Sequence, residues 1–277
     1  MRWRNYHGHC DYCDGRASIK EFIDAAIEFD MSAIGISSHA PVPFETFWTM
    51  PAERLDDYIN ELKRHKKTYE GKIEVLTSLE VDYIPGITGP ASEMIRELPL
   101  DYIIGSIHFM GQLENGEYWA IDGPFEEFVK GVNEIFDGDI KKVVKEYYRL
   151  EREMIETSVP DIIGHMDKIK MHNEKADLFD EKEQWYVDEI EQTFELIKKK
   201  EVIVEINTKS LNKGLLYPGQ EYFSRLKELD IPVTVNSDAH DPFNLINGFE
   251  EAVEMLKAAG FDHVHEFIGG EWIPVKI

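Results

Sequence analysis

The amino-acid sequence predicts an α/β protein, a barrel in which parallel strands alternate with helices. Three observations carry this reading. Short apolar runs alternate with helix-period stretches along the chain, seven such runs can be counted, and His or acidic residues follow one run after another. A length of 277 residues would permit two small domains, but it also suits a single barrel, which commonly takes about 250 residues. The repeating unit favours one domain over residues 1–277.

The first strand is expected around Trp3–Tyr6. Ser18-Ile19-Lys20-Glu21 then reads as a capping box, and Phe22, Ile23, Ala26 and Ile27 recur at helical spacing to about Asp30. The apolar run Ala33–Ile36 is a second strand, ending in Ser37-Ser38-His39. A polar helix near Pro51–Tyr69 precedes a strand over Ile73–Leu79, and a shorter one near Ala91–Glu97 precedes Tyr102–Ser106. Phe109–Pro124 is Gly-rich and reads as a lid, a rim segment or a surface excursion. Helices over Phe125–Phe136 and Ile140–Thr157 lead to Ile162-Ile163-Gly164. Glu183–Lys200 leads to Val202–Ile206, Glu221–Leu229 leads to Val233–Val235, and a helix over Phe243–Ala259 is followed by a short apolar tail. Parallel strands require such crossovers, and seven units favour closure into a barrel over an open sheet.

With 43% hydrophobic and 30% charged residues the chain can bury a sizeable core, so disorder is not expected. Thirty Lys and Arg against 54 Asp and Glu give a net charge of −24, which repels a phosphate backbone and argues against extended nucleic-acid binding. A small anionic substrate remains compatible if metals and lysines reverse the local field. No apolar run approaches the roughly 18 residues of a membrane span, and Met1–Tyr6 has no signal-peptide character, so the expected location is the cytoplasm. Cys10 and Cys13 lie directly behind His7-Gly8-His9 and read as two reduced thiols beside a metal site rather than a redox pair.

Possible ligands fall after every strand: His7 and His9 after the first, His39 after the second, Glu80 at the end of the third, and His108 after the fourth. His165, Asn207, and Asp238 with His240 follow the next three. In α/β barrels the C-terminal strand ends converge on one mouth, so these side chains should meet there. One such His is ordinarily a capped or core residue, but six with two acids at the same end are hard to explain by packing, because buried imidazoles and carboxylates need partners that metals supply. His-x-His along a strand puts both rings on one face. His65 on a solvated, charged helix and His172 in a polar loop are expected not to be ligands, and His263 and His265 in the tail are expected at the surface.

At these residues the chain resembles the polymerase and histidinol phosphatase (PHP) superfamily, most closely its histidinol-phosphate phosphatase members. The likeness rests on His7-Gly8-His9, Asp14-Gly15, Ser38-His39, Leu79-Glu80, Gly105-Ser106-Ile107-His108, Gly164-His165-Met166-Asp167, Glu205-Ile206-Asn207-Thr208 and Asn236-Ser237-Asp238-Ala239-His240, in that order over nearly the whole chain. The resemblance implies a distorted (β/α)7 TIM-like barrel of PHP type carrying three divalent metal ions, with zinc, iron or manganese preferred by the donor set. It implies that His7, His9, Glu80 and Asp238 hold one metal, that Glu80 bridges to a second held by His108 and His165, and that His39 and His240 hold a third. Asp14, with Cys13 beside it, stands where many members have a further His. Arg16, Lys168, Lys209 and Lys213 would seat the phosphate.

The implied reaction is hydrolysis of a small phosphate monoester, L-histidinol phosphate in histidine biosynthesis, by in-line attack of a hydroxide generated between the ions. Asp238 or His240 would protonate the leaving alkoxide. Phe44, Phe47, Trp48 and Phe109 are candidates for an aromatic rim around the substrate. The competing readings are a PHP phosphoesterase acting on phosphotyrosine or nucleotides, and a catalytically inactive metal-binding module. An amidohydrolase is disfavoured because this chain has His108 at strand four, where that family typically uses Lys, and carries Glu80.

Overall fold

The computed structural model describes residues 2–277. Seven strands form one parallel sheet: β1 (Arg4–Asn5), β2 (Ala33–Ile36), β3 (Glu74–Asp82), β4 (Tyr102–Ser106), β7 (Ile162–Ile163), β8 (Ile203–Asn207) and β9 (Val233–Asn236), hydrogen-bonded in that order. Two hairpins are added to it, β5 (Phe109–Gln112) with β6 (Tyr118–Ala120), and β10 (His263–Ile268) with β11 (Glu271–Lys276). β2, β8 and β9 are buried along their whole length, because helices cover one face and the barrel interior the other.

The helices are α1 (Ile19–Glu28), α2 (Leu55–Thr68), α3 (Glu93–Arg96), α4 (Phe125–Phe136), α5 (Ile140–Thr157), α6 (Asn173–Ala176), α7 (Gln184–Lys200), α8 (Phe223–Glu228) and α9 (Phe249–Ala258). α1 starts at the predicted capping box: the Ser18 hydroxyl accepts from the Glu21 N–H and Glu21 Oε2 accepts from the Ser18 N–H at 2.8 Å. Such a cap contributes about 1 kcal/mol. The last helix begins later than predicted, since Gly248 takes a left-handed φ of +71° that interrupts the turn leading into Phe249. None of the described helices is long and apolar enough to cross a membrane.

The barrel floor is the main departure from the sequence reading. The tail is a two-stranded ribbon, not a loose apolar end. Gly269 and Gly270 both have positive φ, +65° and +91°, and Ile268 pairs with Glu271 across this two-residue turn. Only glycine enters that conformation without strain, and a Gly-Gly pair between alternating residues signals such a hairpin. The ribbon carries Phe267 into a cluster with Tyr6, Leu76, Tyr102, Ile104, Ile162 and Ile203, which line the interior from the N-terminal halves of the strands. The Phe267 N–H donates to Tyr6 Oη at 2.8 Å, and Arg4 binds the Phe267 carbonyl at 2.9 Å and Glu266 at 3.2 Å.

The seam of the sheet lies between β1 and β9. Among the described residues these strands share no ladder of their own, and closure falls to side-chain amides and a short bridge past the strand ends. The Tyr6 N–H donates to Asn236 Oδ1 at 2.9 Å, Asn5 Nδ2 donates to Ser237 Oγ at 2.9 Å, and the His9 N–H donates to the Ala239 carbonyl at 2.8 Å.

One open reading is resolved and another needs correction. Residues 109–124 are an ordered rim, in which the β5–β6 hairpin buries Trp119, 2% exposed, against Phe128 and Phe136 of α4. His172 does not sit in a polar loop. It is 2% exposed and packs its ring on Phe128 at 4.5 Å, because the chain past β7 turns inward as a 3-10 segment, Lys168–His172. His263 and His265 lie half-buried on the floor ribbon, at the far end of the strands from the mouth, and His65 is half-buried on α2.

Candidate metal centre

Every predicted ligand reaches one mouth. β1 delivers His7 and His9, whose alternation sends both rings inward, and parallel pairing sets His39 opposite Glu80. His108 follows β4, His165 follows β7, and Asp238 and His240 follow β9. His165 and Asp238 hold positive φ, +27° and +48°, which costs non-glycine residues about 1–3 kcal/mol each and persists only where surrounding contacts impose it. His165 has such a contact: its N–H donates to Glu205 Oε2 at 2.9 Å.

The donor atoms fall into three groups. In the first, Glu80 Oε2 lies 3.1 Å from His7 Nε2 and 3.4 Å from His9 Nε2, and Asp238 Oδ1 lies 3.1 Å from His9 Nε2 and 3.8 Å from His7 Nε2. In the second, the other Glu80 oxygen lies 2.9 Å from His165 Nε2 and 3.7 Å from His108 Nε2. The third is more open: Asp14 Oδ1 lies 3.3 Å from His240 Nε2 and 3.9 Å from His39 Nε2, with His9 completing the set.

These groups have the chemistry of a cation site. His7 Nε2, His9 Nε2, His39 Nδ1 and Glu80 Oε2 are buried, and none has a hydrogen-bond partner. Buried polar atoms are almost always satisfied, so four orphans aimed at a common space call for a ligand. Donors arranged tetrahedrally around zinc at about 2.0–2.1 Å stand roughly 3.4 Å apart, close to the spacing of the first group.

Behind the donors, carboxylates hold the rings. Glu205 Oε1 meets His7 Nδ1 at 2.6 Å and Asp82 Oδ1 meets His108 Nδ1 at 3.0 Å, so the proton stays at Nδ1 and the Nε2 lone pair faces the centre. Asn207 Nδ2 donates to Glu205 at 2.9 Å and to Asp238 Oδ2 at 3.3 Å. His9 Nδ1 instead faces Cys13 Sγ at 3.6 Å, and both cysteines are free thiols. Sequence reasoning noted Glu205 only as part of a matching segment and passed over Asp82, although each shares a strand face with a recognised residue two positions away, Asn207 and Glu80.

Burial works to raise the Glu80 carboxyl, but the imidazoles of His7, His39 and His108 outweigh it and hold the group well below the usual carboxylate range. Burial similarly opposes His108, yet Asp82, Glu80 and Asp122 carry it up to about 9. His9 moves the other way, well down, through burial and then the neighbouring His240 and His39. Without cations, protons are drawn into the centre to balance its carboxylates. Metals would displace them.

The predicted basic residues separate. Lys209 Nζ sits 3.1 Å from Asp238 Oδ1, and Lys168, buried on the mouth wall, has its Nζ 3.8 Å from Asp122 Oδ2. The Arg16 N–H donates to the His240 carbonyl at 2.8 Å, bringing its segment to the third group with the side chain exposed. Lys213 lies exposed in the 3-10 turn Leu211–Lys213 and makes no described ion pair with the cluster. On the rim, Trp48 stacks on Phe109 at 5.0 Å and meets His39 edge-on at 4.6 Å, while Phe44 stacks on Tyr118 at 3.9 Å. Phe47 takes no part in this wall; it is 94% exposed. Asp122, which sequence reasoning did not single out, enters the mouth from the β5–β6 hairpin, 4.0 Å from His108 Nε2.

Comparison with known proteins finds relatives of this chain and of its fold. A Deinococcus radiodurans protein named as a probable histidinol-phosphatase is 26% identical over 92% of this chain and 92% of its own length. The histidinol-phosphatase of Bacillus subtilis is 24% identical over 92% of this chain and 99% of its own. The crystal structure of histidinol phosphate phosphatase from Lactococcus lactis, complexed with Zn, L-histidinol and phosphate, shares the fold with a TM-score of 0.74 at 17% identity, over 98% of both chains. The PHP domain model matches residues 5–209, from the first strand through the sixth ligand segment, and the chain belongs to the PHP domain family.

Proposed function

We propose that this protein is a metal-dependent phosphatase that hydrolyses L-histidinol phosphate to L-histidinol and phosphate. The observation that carries the reading is Glu80, which offers one oxygen to the His7–His9 pair and the other to the His108–His165 pair. One carboxylate shared in this way sets two cation positions side by side, the arrangement that clamps both oxygens of an in-line displacement. Its relatives named as histidinol-phosphatases match over most of the chain, and the Lactococcus lactis structure holds zinc, L-histidinol and phosphate in the same fold.

In this reading His7, His9, Glu80 and Asp238 hold one ion, Glu80 with His108 and His165 a second, and Asp14, His39 and His240 a third. Zinc, iron or manganese suits these mixed imidazole and carboxylate donors. Bound cations supply Lewis acidity that makes hydroxide available at neutral pH. Lys209 and Lys168 draw the phosphoryl group inward and offset charge on its equatorial oxygens, with Arg16 at the outer edge, whereas Lys213 makes no described ion pair with the cluster. His240 is the open member of the cluster, its Nδ1 held 3.0 Å from the Asp238 carbonyl oxygen, and it or Asp238 would deliver the proton that the departing alkoxide needs only where it is not taken up as a ligand. A small metabolic ester, free thiols and a chain carrying −24 charge fit cytoplasmic work without nucleic acid.

The test is metal analysis of the purified protein followed by phosphate release from histidinol phosphate, phosphotyrosine, p-nitrophenyl phosphate and a short oligonucleotide. The expected result is a kcat/KM on histidinol phosphate at least tenfold above the rest. Preference for phosphotyrosine or the oligonucleotide would overturn the substrate, and a fully loaded protein inert on all four would mark a binding module.

A further inference from the structure

The chain carries a second His-x-His that the mouth does not use. His263 and His265 stand two residues apart on β10, so both side chains leave one face of the floor ribbon, while Val264 and Glu266 turn to the other face and are buried. Their ring centres lie 5.6 Å apart, against 5.0 Å for His7 and His9 at the mouth. Two imidazoles bound tetrahedrally to one zinc at about 2.1 Å put their ring centres about 5.3 Å apart. The floor pair already stands near the spacing of two ligands on a shared ion.

The ring nitrogens are prepared for the same role. His263 Nδ1 meets Asp262 Oδ1 at 2.8 Å, which keeps the proton there and leaves the Nε2 lone pair to bind, as Glu205 does for His7. His265 Nδ1 is buried and has no hydrogen-bond partner. Across the ribbon His265 faces Pro274, which offers it no polar side chain, and His263 faces Lys276, whose side chain is exposed. Asp230, in the turn after α8, brings a negative charge that reaches His265, and Lys227 Nζ lies 3.7 Å from the Asp262 oxygen that holds His263.

We propose that His263 and His265 form a further divalent-metal site on the barrel floor, at the opposite end of the strands from the mouth, that takes a transition ion such as zinc. Paired imidazoles suit zinc, copper or nickel and not magnesium. Water and the Asp230 carboxylate complete the shell. An ion held by β10 and by the turn between α8 and β9 joins the ribbon to the barrel, so it stabilises the fold without touching the reaction. The site is independent of the phosphatase reading.

The test counts zinc per chain by equilibrium dialysis at buffered free zinc, on protein whose mouth is already loaded. Wild type, His263→Gln, His265→Gln, the double variant and Asp262→Asn are compared, with phosphatase turnover and Tm recorded on the same samples. The wild type should bind one equivalent more than the double variant, and magnesium should not displace it. Either single variant should weaken that equivalent by at least about 10-fold, and Asp262→Asn by about 10- to 100-fold, the effect of altering a group that orients a ligand. Turnover should stay at the wild-type level throughout, and the rise in Tm on adding zinc beyond the filled mouth should vanish in the double variant. Equal zinc counts in the wild type and the double variant would overturn the proposal. An affinity indifferent to Asp262→Asn would overturn it too, marking exposed imidazoles that gather zinc without a built site. A double variant that loses mouth metal and turnover together with the floor ion would do the same, because the substitutions would then act through the fold.

Discussion

Glu205 holds His7 by a 2.6 Å contact to Nδ1, and with its other oxygen it fixes the His165 backbone at 2.9 Å. One buried carboxylate on β8 thus orients donors from the first and fifth barrel strands, which belong to the two cation groups that share Glu80.

Glu205→Gln keeps the shape but loses the charge that favours Nδ1–H on His7. Metal affinity should drop by about 10- to 100-fold, the usual effect of altering an outer-shell partner. Chelator-competition titration measures this directly, and saturating metal should restore much of the turnover. Unchanged affinity would show that His7 holds its tautomer without help.

Stripping the metals should also weaken the fold, because it leaves His7 Nε2, His9 Nε2, His39 Nδ1 and Glu80 Oε2 buried without partners. An ion present at a thousand times its dissociation constant stabilises the native state by about 4 kcal/mol. Differential scanning calorimetry with and without a chelator should show a clear fall in Tm, reversed on adding metal. An apo protein melting at the loaded temperature would mean that the cluster satisfies itself.

The rim hairpin can be disturbed without touching a ligand. A Cβ at Gly131 would fall 2.0 Å from Trp119 Cε2, so the indole cannot stay under α4. Gly131→Ala should cost about 1–3 kcal/mol in denaturant unfolding. It should also raise KM, since the same hairpin carries Phe109 and Asp122, while metal content stays at the wild-type level. A loss of metal instead would place the hairpin's influence on His108.

Glu151 makes a prediction about pH. Burial, and then the neighbouring Asp167, raise its carboxyl well above the usual range, and its Oε2 has no partner. Below about 4.3, the ordinary value, folded and unfolded chains both carry the proton and the group is neutral to stability. As the pH rises past that value the unfolded chain ionises first, so stability falls until the folded-state pKa is passed. Glu151→Gln removes this penalty. The variant should gain about 1–3 kcal/mol over wild type near pH 8, the scale of one unsatisfied buried polar group, with the gap closing at pH 4. A gap independent of pH would mean that the carboxyl does not titrate differently on folding.

The metal groups were legible in sequence because the barrel does the long-range work: a ligand type placed after each apolar run is enough, and the fold brings the runs together. Asp122 and the floor ribbon were harder for opposite reasons. Asp122 comes to the mouth through a rim hairpin with an irregular register, which no periodicity announces. The ribbon did carry its signal, Gly269-Gly270 between alternating residues, but its short strands were read as a tail. His172 resembled a polar-loop residue because its neighbours are polar, while the aromatic rings that bury it lie more than forty residues earlier on α4.

The seam between β1 and β9 has a consequence for how the molecule breathes. Closed by a few asparagine amides and one short backbone bridge in place of a full ladder, it is the line along which the cylinder should part first. His7 and His9 stand on one side of that line and Asp238 and His240 on the other. A cation held between them would be a rivet through the joint, so filling the mouth and locking the cylinder would become the same event.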